Sequence, residues 1–403
     1  MSLRYIKVKT KGQNEGEKLL VPKLRFNEFK DEWKEISLVN VFTFYNTNSL
    51  SRADLSEEGL IKNIHYGDIH QKFNNILDVN KEKLPYIKSD IKVNIHNEEN
   101  YCQDGDLILA DASEDYDGIG KAVEVINVGN NKIVSGLHTI LARDTNKVMS
   151  LGFKGYLFNT PLIHNQIRVL ANGFKVYGIS KNNIYDLDVR IPTKTEQEKI
   201  TNFLILLDKK IELQQRRIEA LKIYKRGLIK KIFGDIKDND SIRLKDLYHF
   251  AYGEGNTNPD NGGIYPVYGA NGKIGGFNKY NAEYSVIIGH MGAYAGNVLF
   301  EENKHFVTYN GTIAIPKNIK IIRPKFGYYM LLNTNLPRIC AGSGMPFLSY
   351  EILNNIKVKL PDIKAQEKCE KVLDKTEAKI KLEKRKFKNL SQLKKSLLQQ
   401  MFI

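Results

Sequence analysis

Residues 191–233 read IPTKTEQEKITNFLILLDKKIELQQRRIEALKIYKRGLIKKIF, and residues 360–402 read LPDIKAQEKCEKVLDKTEAKIKLEKRKFKNLSQLKKSLLQQMF. A shift of 169 lays one on the other without a gap, and 13 of the 43 positions are identical. They are Pro192/Pro361, Gln197/Gln366, Glu198/Glu367, Lys199/Lys368, Leu204/Leu373, Lys210/Lys379, Ile211/Ile380, Leu213/Leu382, Arg216/Arg385, Leu221/Leu390, Lys225/Lys394, Leu228/Leu397 and Phe233/Phe402. Shared composition does not keep a register for that long, so the chain is written twice.

Each copy carries a heptad. In the first, Leu204, Ile211, Ile218, Lys225 and Ile232 fall at a, and Ile200, Leu207, Gln214, Leu221 and Leu228 at d. In the second, Leu373, Ile380, Phe387, Lys394 and Met401 fall at a, and Cys369, Thr376, Glu383, Leu390 and Leu397 at d. A seam sustained for five heptads predicts two long helices forming an antiparallel coiled coil. The polar interruptions are shared: Lys225 with Lys394, and Gln214 with Glu383. Polar seam residues fix register and partner choice; the competing reading has them facing water. Leu204, Leu207, Ile211, Ile218, Leu221, Lys225, Leu228, Leu373, Ile380, Phe387, Leu390, Lys394 and Leu397 are the expected helix-interface residues. Thr195 and Glu198 have the spacing of a capping box. A helix of about 38 residues spans roughly 57 Å, long enough to set two globular units apart.

Fainter echoes precede the helices. Leu38 matches Leu244, Tyr66-Gly67 matches Tyr268-Gly269, Gly120 matches Gly296, Thr139-Ile140 matches Thr312-Ile313, Gly155-Tyr156 matches Gly327-Tyr328, and Ser180 matches Ser349. The shift falls along the chain from 206 to 169, as it does when the first copy holds more loop insertions. The expected organisation is an N-terminal tail (1–24), a first globular domain (25–192), a first spacer helix (193–233), a linker (234–241), a second globular domain (242–361) and a second spacer helix (362–403). DLILA, VEVIN, YSVIIG and GTIAIP read as short strands between Gly/Asn turns. The fold class is α+β: two mixed α/β domains separated by the paired helices, with a pseudo-twofold internal repeat.

The chain has 403 residues, 61 Lys plus Arg against 46 Asp plus Glu, a net charge of +15. Residues 194–233 and 363–403 hold 13 of those excess charges. Such a field draws polyanions without specifying sequence, although a solvated helix face is the plainer reading. No apolar run approaches the roughly 18 residues of a membrane span. The first 20 residues lack the apolar core of a secretory signal. Cys102, Cys340 and Cys369 form no CxxC, which excludes a zinc ribbon or a disulfide framework. A cytoplasmic protein without a membrane is expected.

The usual catalytic patterns are missing. There is no GxxxxGK[ST], HExxH, GxSxG or GxGxxG after a strand, and no NPPF or DPPY. Asp362 followed by Glu377 and Lys379 imitates a nuclease motif, but Glu377 and Lys379 lie two apart in a helix and point to different faces. His65 and His70, in a stretch read as strand and loop, are ordinary polar histidines rather than a metal pair. No catalytic or metal-binding residue is expected.

The stretch Ile191-Pro192 with Glu196-Gln197-Glu198-Lys199-Ile200, leading to KRGLIKKIF (225–233), and KKSLLQQMF (394–402) resemble the specificity (S) subunits of type I restriction–modification systems. VPKLRFNEF (21–29) with Trp33 looks like that family's entry into the first recognition domain. YPVYGANGKIGGFNKYN (265–281) with IIGHMGAYAGNV (287–298) looks like one of its target-recognition-domain types. Asn27-Glu28 stands where Pro-Gly is common, and Ala365 and Lys364 replace Glu196 and Thr195 in the second copy. The resemblance implies a subunit without catalysis of its own. Each domain would read half of a split, asymmetric site in double-stranded DNA. The helices would dock two methyltransferase subunits, and restriction subunits would join. S-adenosylmethionine, ATP and Mg would belong to those partners, none to this chain.

Base readout needs directional groups at groove edges, whereas Lys and Arg on phosphates position the protein. Polar and aromatic residues in Gly-rich loops of both copies are the expected DNA contacts: Arg52, His65, Tyr66, Asp68, Ser113, Lys121, Lys175 and Tyr177 in the first, and Tyr268, Asn271, Lys273, His290, Tyr294, Asn297 and Ser343 in the second. The competing reading makes Tyr66 and Tyr268 core tyrosines and the loops plain turns. Two other functions fit the outline: a coiled-coil DNA-binding scaffold without sequence preference, and a specificity subunit of a fused methyltransferase–nuclease.

Overall fold

The computed structural model describes residues 3–5, 21–91, 97–173, 175–236, 241–255, 258–342 and 344–403. It divides into two compact units, Met1–Glu212 with Lys388–Ile403, and Leu213–Phe387.

The first unit is built on a five-stranded sheet. Its strands run in the order Phe42–Tyr45, Thr139–Asp144, Leu107–Ala110, Ala122–Ile126 and Ile76–Asp78. All pairs are antiparallel except the last, Ile76–Asp78 on Ala122–Ile126. A second sheet orders Ile133–Ser135, Lys62–Ile64, Tyr86–Ile87 and Leu55–Ser56. The second unit has Tyr248–Tyr252, Gly311–Pro316, Ser285–Gly289 and Val298–Glu301, all antiparallel. These are the echoes of the first four strands of the larger sheet, in the same spatial order. The repeat read from the helices therefore extends through the globular cores, and the mixed α/β class expected from the sequence holds.

The anchoring residues repeat as well. Leu38 and Leu244 are fully buried just before the first sheet strand of their units. Gly155 and Gly327 lie in short helices pressed on their neighbours. A Cβ at Gly155 would sit 2.2 Å from the Asn75 carbonyl oxygen, and one at Gly327 1.8 Å from the Tyr248 hydroxyl. Only glycine permits that approach.

The spacer helices run Lys194–Gly234 and Ile363–Gln400. Thr195 and Glu198 do not cap the first. Its backbone bonds start from Thr193, whose carbonyl accepts from the N–H groups of Glu196 and Gln197, so Thr195 lies within the first turn. Asp362, half of the imitation nuclease motif, caps the second helix by accepting from Ala365 N–H at 2.8 Å. An acidic cap satisfies an orphan donor and suits the positive end of the helix.

Gln197 and Gln366 tie each helix to its domain. Gln197 donates to the Pro192 carbonyl (2.9 Å) and accepts from Ser150 N–H (2.7 Å). Gln366 donates to Pro361 (2.9 Å) and Ile321 (2.8 Å) and accepts from Arg323 N–H (3.0 Å). Each unit's core is completed from both helices. Ile200, Leu204 and Leu207 join Leu397, Met401 and Phe402 in the first, and Leu373 joins Ile229 and Phe233 in the second. The repeated terminal phenylalanines do equivalent work: Phe402 packs against Trp33 and Phe153, and Phe233 against Phe326.

The shared interruptions of the seam are paired, not solvated. In the second unit Gln214 bonds Glu383, and Lys225 pairs with Glu377. In the first, Lys394 pairs with Asp208 at 2.6 Å. In the second unit, partners that rise in number on one helix fall on the other, so the segments there are antiparallel. Asp208 and Glu377 are repeat equivalents, and each also accepts from a tyrosine of its globular domain. Tyr156 reaches Asp208 at 2.9 Å and Tyr328 reaches Glu377 at 3.2 Å. No described helix is long and apolar enough to cross a membrane.

Candidate nucleic-acid interface

His65 N-caps the short helix Tyr66–Gln71, accepting on Nδ1 from Gly67 N–H at 3.0 Å, and His70 lies within that helix. Both were expected in strand and loop. The cap turns Tyr66 into an aromatic cluster. Its ring lies 4.7 Å from His65, 6.1 Å from His70 and 5.4 Å from His138. Asp68, 1% exposed, points inward and carries a forked bond from Arg52 (2.8 and 3.0 Å) with Lys72 at 2.9 Å. Burial opposes ionisation of Asp68, but the two cations win and hold its carboxyl below the usual range. Arg52 remains about half exposed and presents its guanidinium edge.

His70 Nε2 lies 3.1 Å from the Ala112 carbonyl, and Lys121 donates to the His70 carbonyl at 2.9 Å. Burial lowers the Lys121 pKa. Ser113, beside Ala112, pairs with Tyr177 across a two-residue ladder. The structure thus brings together Arg52, His65, Tyr66, Asp68, Lys121, Ser113 and Tyr177, with Lys175 exposed on the adjoining loop. Three neighbours escaped the sequence reading: Asp111, His138 and Tyr116, whose ring lies 5.1 Å from Tyr177.

That loop occurs in both units. Asn172 and Gly178 exchange backbone bonds (3.0 and 2.7 Å), closing residues 172–178. Ala341 and Phe347, 169 positions later, do the same (2.9 and 2.8 Å). Gly173 and Gly342 follow the first closing residue with φ of +133° and +91°, open to glycine. Val176 and Met345, equivalent again, are 54% and 66% exposed. Ser180 and Ser349 then cap the next helix in each unit. Ser343 lies outside the described residues.

In the second unit Tyr265–Gly269 and Gly272–Phe277 form a hairpin around Ala270-Asn271. Asn271 and Lys273 are exposed at its tip. Asn297 braces it from behind, donating to the Ala270 carbonyl at 2.9 Å. Tyr268 donates to Glu301 at 2.6 Å, and burial with that carboxylate pushes its phenol pKa upward. Tyr294 is half exposed. His290 is buried, with Nδ1 3.1 Å from the Leu348 carbonyl and its ring 4.2 Å from Tyr252. Tyr252 in turn stacks on Tyr350 at 4.0 Å, and Tyr309 closes the cluster. Tyr252, Tyr309 and Tyr350 were not legible as a group, because they come from three distant segments. Asp68, Tyr268, His290 and Asn297 thus build the scaffold, while Arg52, Lys175, Asn271, Lys273 and Tyr294 present free edges. Among the described residues no three His, Cys, Asp or Glu are placed to hold a metal.

A groove of about 970 Å³ in the second unit lies beside the helix pair. Lys222, Lys225, Arg226, Lys230, Lys381 and Lys384 line it, against Glu219 and Glu377. Both acids are already paired, Glu219 with Lys222 and Glu377 with Lys225.

Two diverged units share one strand order, and each carries an aromatic–histidine cluster beside the same loop, so the architecture is duplicated. Residues 236–392 match the family described as Type I restriction modification DNA specificity domain. The fold is similar to the crystal structure of a type I restriction–modification system S subunit from M. genitalium. Identity is 18%, with 95% of this chain and 99% of that chain covered and a TM-score of 0.59. It is also similar to a chain from work on complex assembly and conformational transition of the type I restriction–modification system. There the identity is 12%, with 91% and 96% covered and a TM-score of 0.56. The resemblance to type I specificity subunits read from the helix motifs agrees with the family match over residues 236–392 and with the fold of both solved structures.

Proposed function

We propose that this chain is the DNA-reading subunit of a type I restriction–modification complex, and that each globular domain reads one half of a bipartite, asymmetric site. The observation that carries this reading is the pairing of a common frame with different faces. Where the first unit sets Arg52, His65 and Tyr66, the second sets Tyr268 and the Asn271–Lys273 turn. Two equal readers would favour a palindrome; two unequal ones favour an asymmetric site. The basic groove supports phosphate contact, which positions without specifying.

The chain would have no catalysis of its own. The helix pair would dock two methyltransferase subunits, with restriction subunits joining that core. S-adenosylmethionine, ATP and Mg would reside on those partners. The test is single-molecule methylation mapping of host DNA, with the methyltransferase subunit expressed with and without this chain. A bipartite motif methylated only when both are present is expected. A stable complex that adds no motif would remove the reading role, leaving assembly alone.

A further inference from the structure

His138 stands at the turn between Ile133–Ser135 and Thr139–Asp144, in a left-handed conformation with φ of 53°. A non-glycine residue there carries strain, and strain of this kind gathers at functional sites. Its side chain is half exposed, and Nδ1 lies 3.3 Å from Asp111 Oδ1. The edge of the ring meets Tyr66, itself between His65 and His70. The Asp111 backbone N–H donates to the His138 carbonyl at 3.1 Å, so the two residues are held together twice. Burial pushes the Asp111 carboxyl upward. Nε2 has no protein partner among the described residues.

We propose that His138 is a specificity-determining residue of the first unit, reading the exocyclic amine of an adenine or cytosine in the major groove. The inference rests on the reading of that unit as a DNA half-site reader. A neutral imidazole carries one N–H. A carboxylate beside Nδ1 holds the proton there, which leaves Nε2 as a lone-pair acceptor. In the major groove only adenine N6 and cytosine N4 offer donors; guanine and thymine offer O6 and O4 acceptors, which repel that lone pair. Tyr66 and the Asp111 contact fix the ring, so the selection is directional. Asp111 acts as a positioning residue: it sets the tautomer and never touches the base.

The test is methylation mapping of the full chain co-expressed with its methyltransferase subunit, comparing wild type with His138→Ala, His138→Gly and Asp111→Ala. The wild-type first half-site is expected to hold A or C at one position. His138→Ala should relax that position, with discrimination falling about fivefold to tenfold, while the other half-site stays unchanged. Asp111→Ala should admit keto bases at the same position, because Nε2 then carries the proton part of the time. A merely structural role would lower methylation at every base alike. Glycine adopts the left-handed conformation freely, so His138→Gly keeps the inference testable if the alanine variant does not fold. A folded His138→Gly complex with the wild-type motif unaltered would overturn the inference and leave the half-site reading standing. Absence of any bipartite motif with the wild-type chain would sink both.

Discussion

Gln214 and Glu383 occupy the same place in the two copies of the repeat, and they are bonded to each other. Gln214 Nε2 lies 2.5 Å from Glu383 Oε2 and 3.0 Å from the Glu383 carbonyl oxygen. A residue that meets its own equivalent marks an isologous contact, the local signature of twofold pairing. The asymmetry of the pair is required: two glutamates there would repel, whereas an amide beside a carboxylate bonds. The Gln214 bond, with Lys386 next, holds the Glu383 carboxyl below its usual range. A carboxyl held down by folding stabilises the fold above the unfolded value of 4.5 and loses that contribution as pH falls below it. Gln214→Glu should therefore lower the thermal midpoint at pH 7 by about 2–4 °C, and the deficit should shrink towards pH 4. A variant melting as wild type at both pH values would show the contact to be incidental.

Lys225 and Lys394 look like flaws in a heptad and act as pins. Lys394 sits between Asp208 at 2.6 Å and the Tyr156 ring at 5.6 Å. Removing the lysine strands a half-buried carboxylate, but residual exposure of the pair keeps the cost below that of a fully buried one. Lys394→Ala is expected to cost about 1–2 kcal/mol in denaturant titration. A cycle with Asp208→Ala should return a coupling of about 1 kcal/mol. Additive single effects would mean that the two side chains do not act as a pair.

Gln197 and Gln366 should differ in cost although they repeat each other. Gln197→Ala leaves one N–H and one carbonyl unpaired. Gln366→Ala leaves one N–H and two carbonyls. Each buried orphan costs about 1–3 kcal/mol, so both variants should unfold at lower denaturant, Gln366→Ala further down. The reverse order would place the greater burden on the first junction.

The repeat, the two helices and their polar interruptions were legible because they obey periodicities of 169 and seven, visible in one dimension. The partners of those interruptions were not. Lys225 meets Glu377 from 152 positions away, and no local pattern announces it. The Thr195 cap was misplaced by two residues because Thr193 and Thr195 are both competent, and burial of Glu196 against Arg25 settles the phase of the helix. Among the site residues, composition located the loops but not the side of the chain each residue takes. Asp68 is consumed by Arg52 and Lys72, and His138 gains its position from a backbone angle that leaves no trace in the sequence around it.

His164 predicts an acid sensitivity of the first unit. It lies in the helix Pro161–Leu170 with Nδ1 buried and unpaired among the described residues. Burial, with Arg168 next, pushes its pKa down to about 4 from 6.5. The unfolded chain then binds more protons between those values, so stability present above pH 6.5 is lost as pH falls towards 4. Its slope is at most about 1.4 kcal/mol per pH unit. His65, lowered by its own burial, adds in the same direction. His164→Leu should flatten the pH dependence of the thermal midpoint over this window while leaving pH 7.5 nearly unchanged. An equally steep profile in the variant would assign the acid loss elsewhere.

The basic groove makes a prediction about salt. Arg226, Lys230, Lys381 and Lys384 line it and have no ion-pair partner among the described residues. If they meet phosphates, each releases a counterion, and affinity falls with log salt by about 0.9 per contact. Lys381→Glu with Lys384→Glu should weaken binding of the assembled complex to specific and random DNA alike, and reduce the salt slope by about 2. The methylated motif should keep its sequence, because phosphate contacts carry no base information. If the groove instead receives an acidic segment of a protein partner, the double variant would lose that partner while the salt slope of any remaining DNA binding stayed as it was. The slope and the co-purification yield, measured on the same preparation, separate the two.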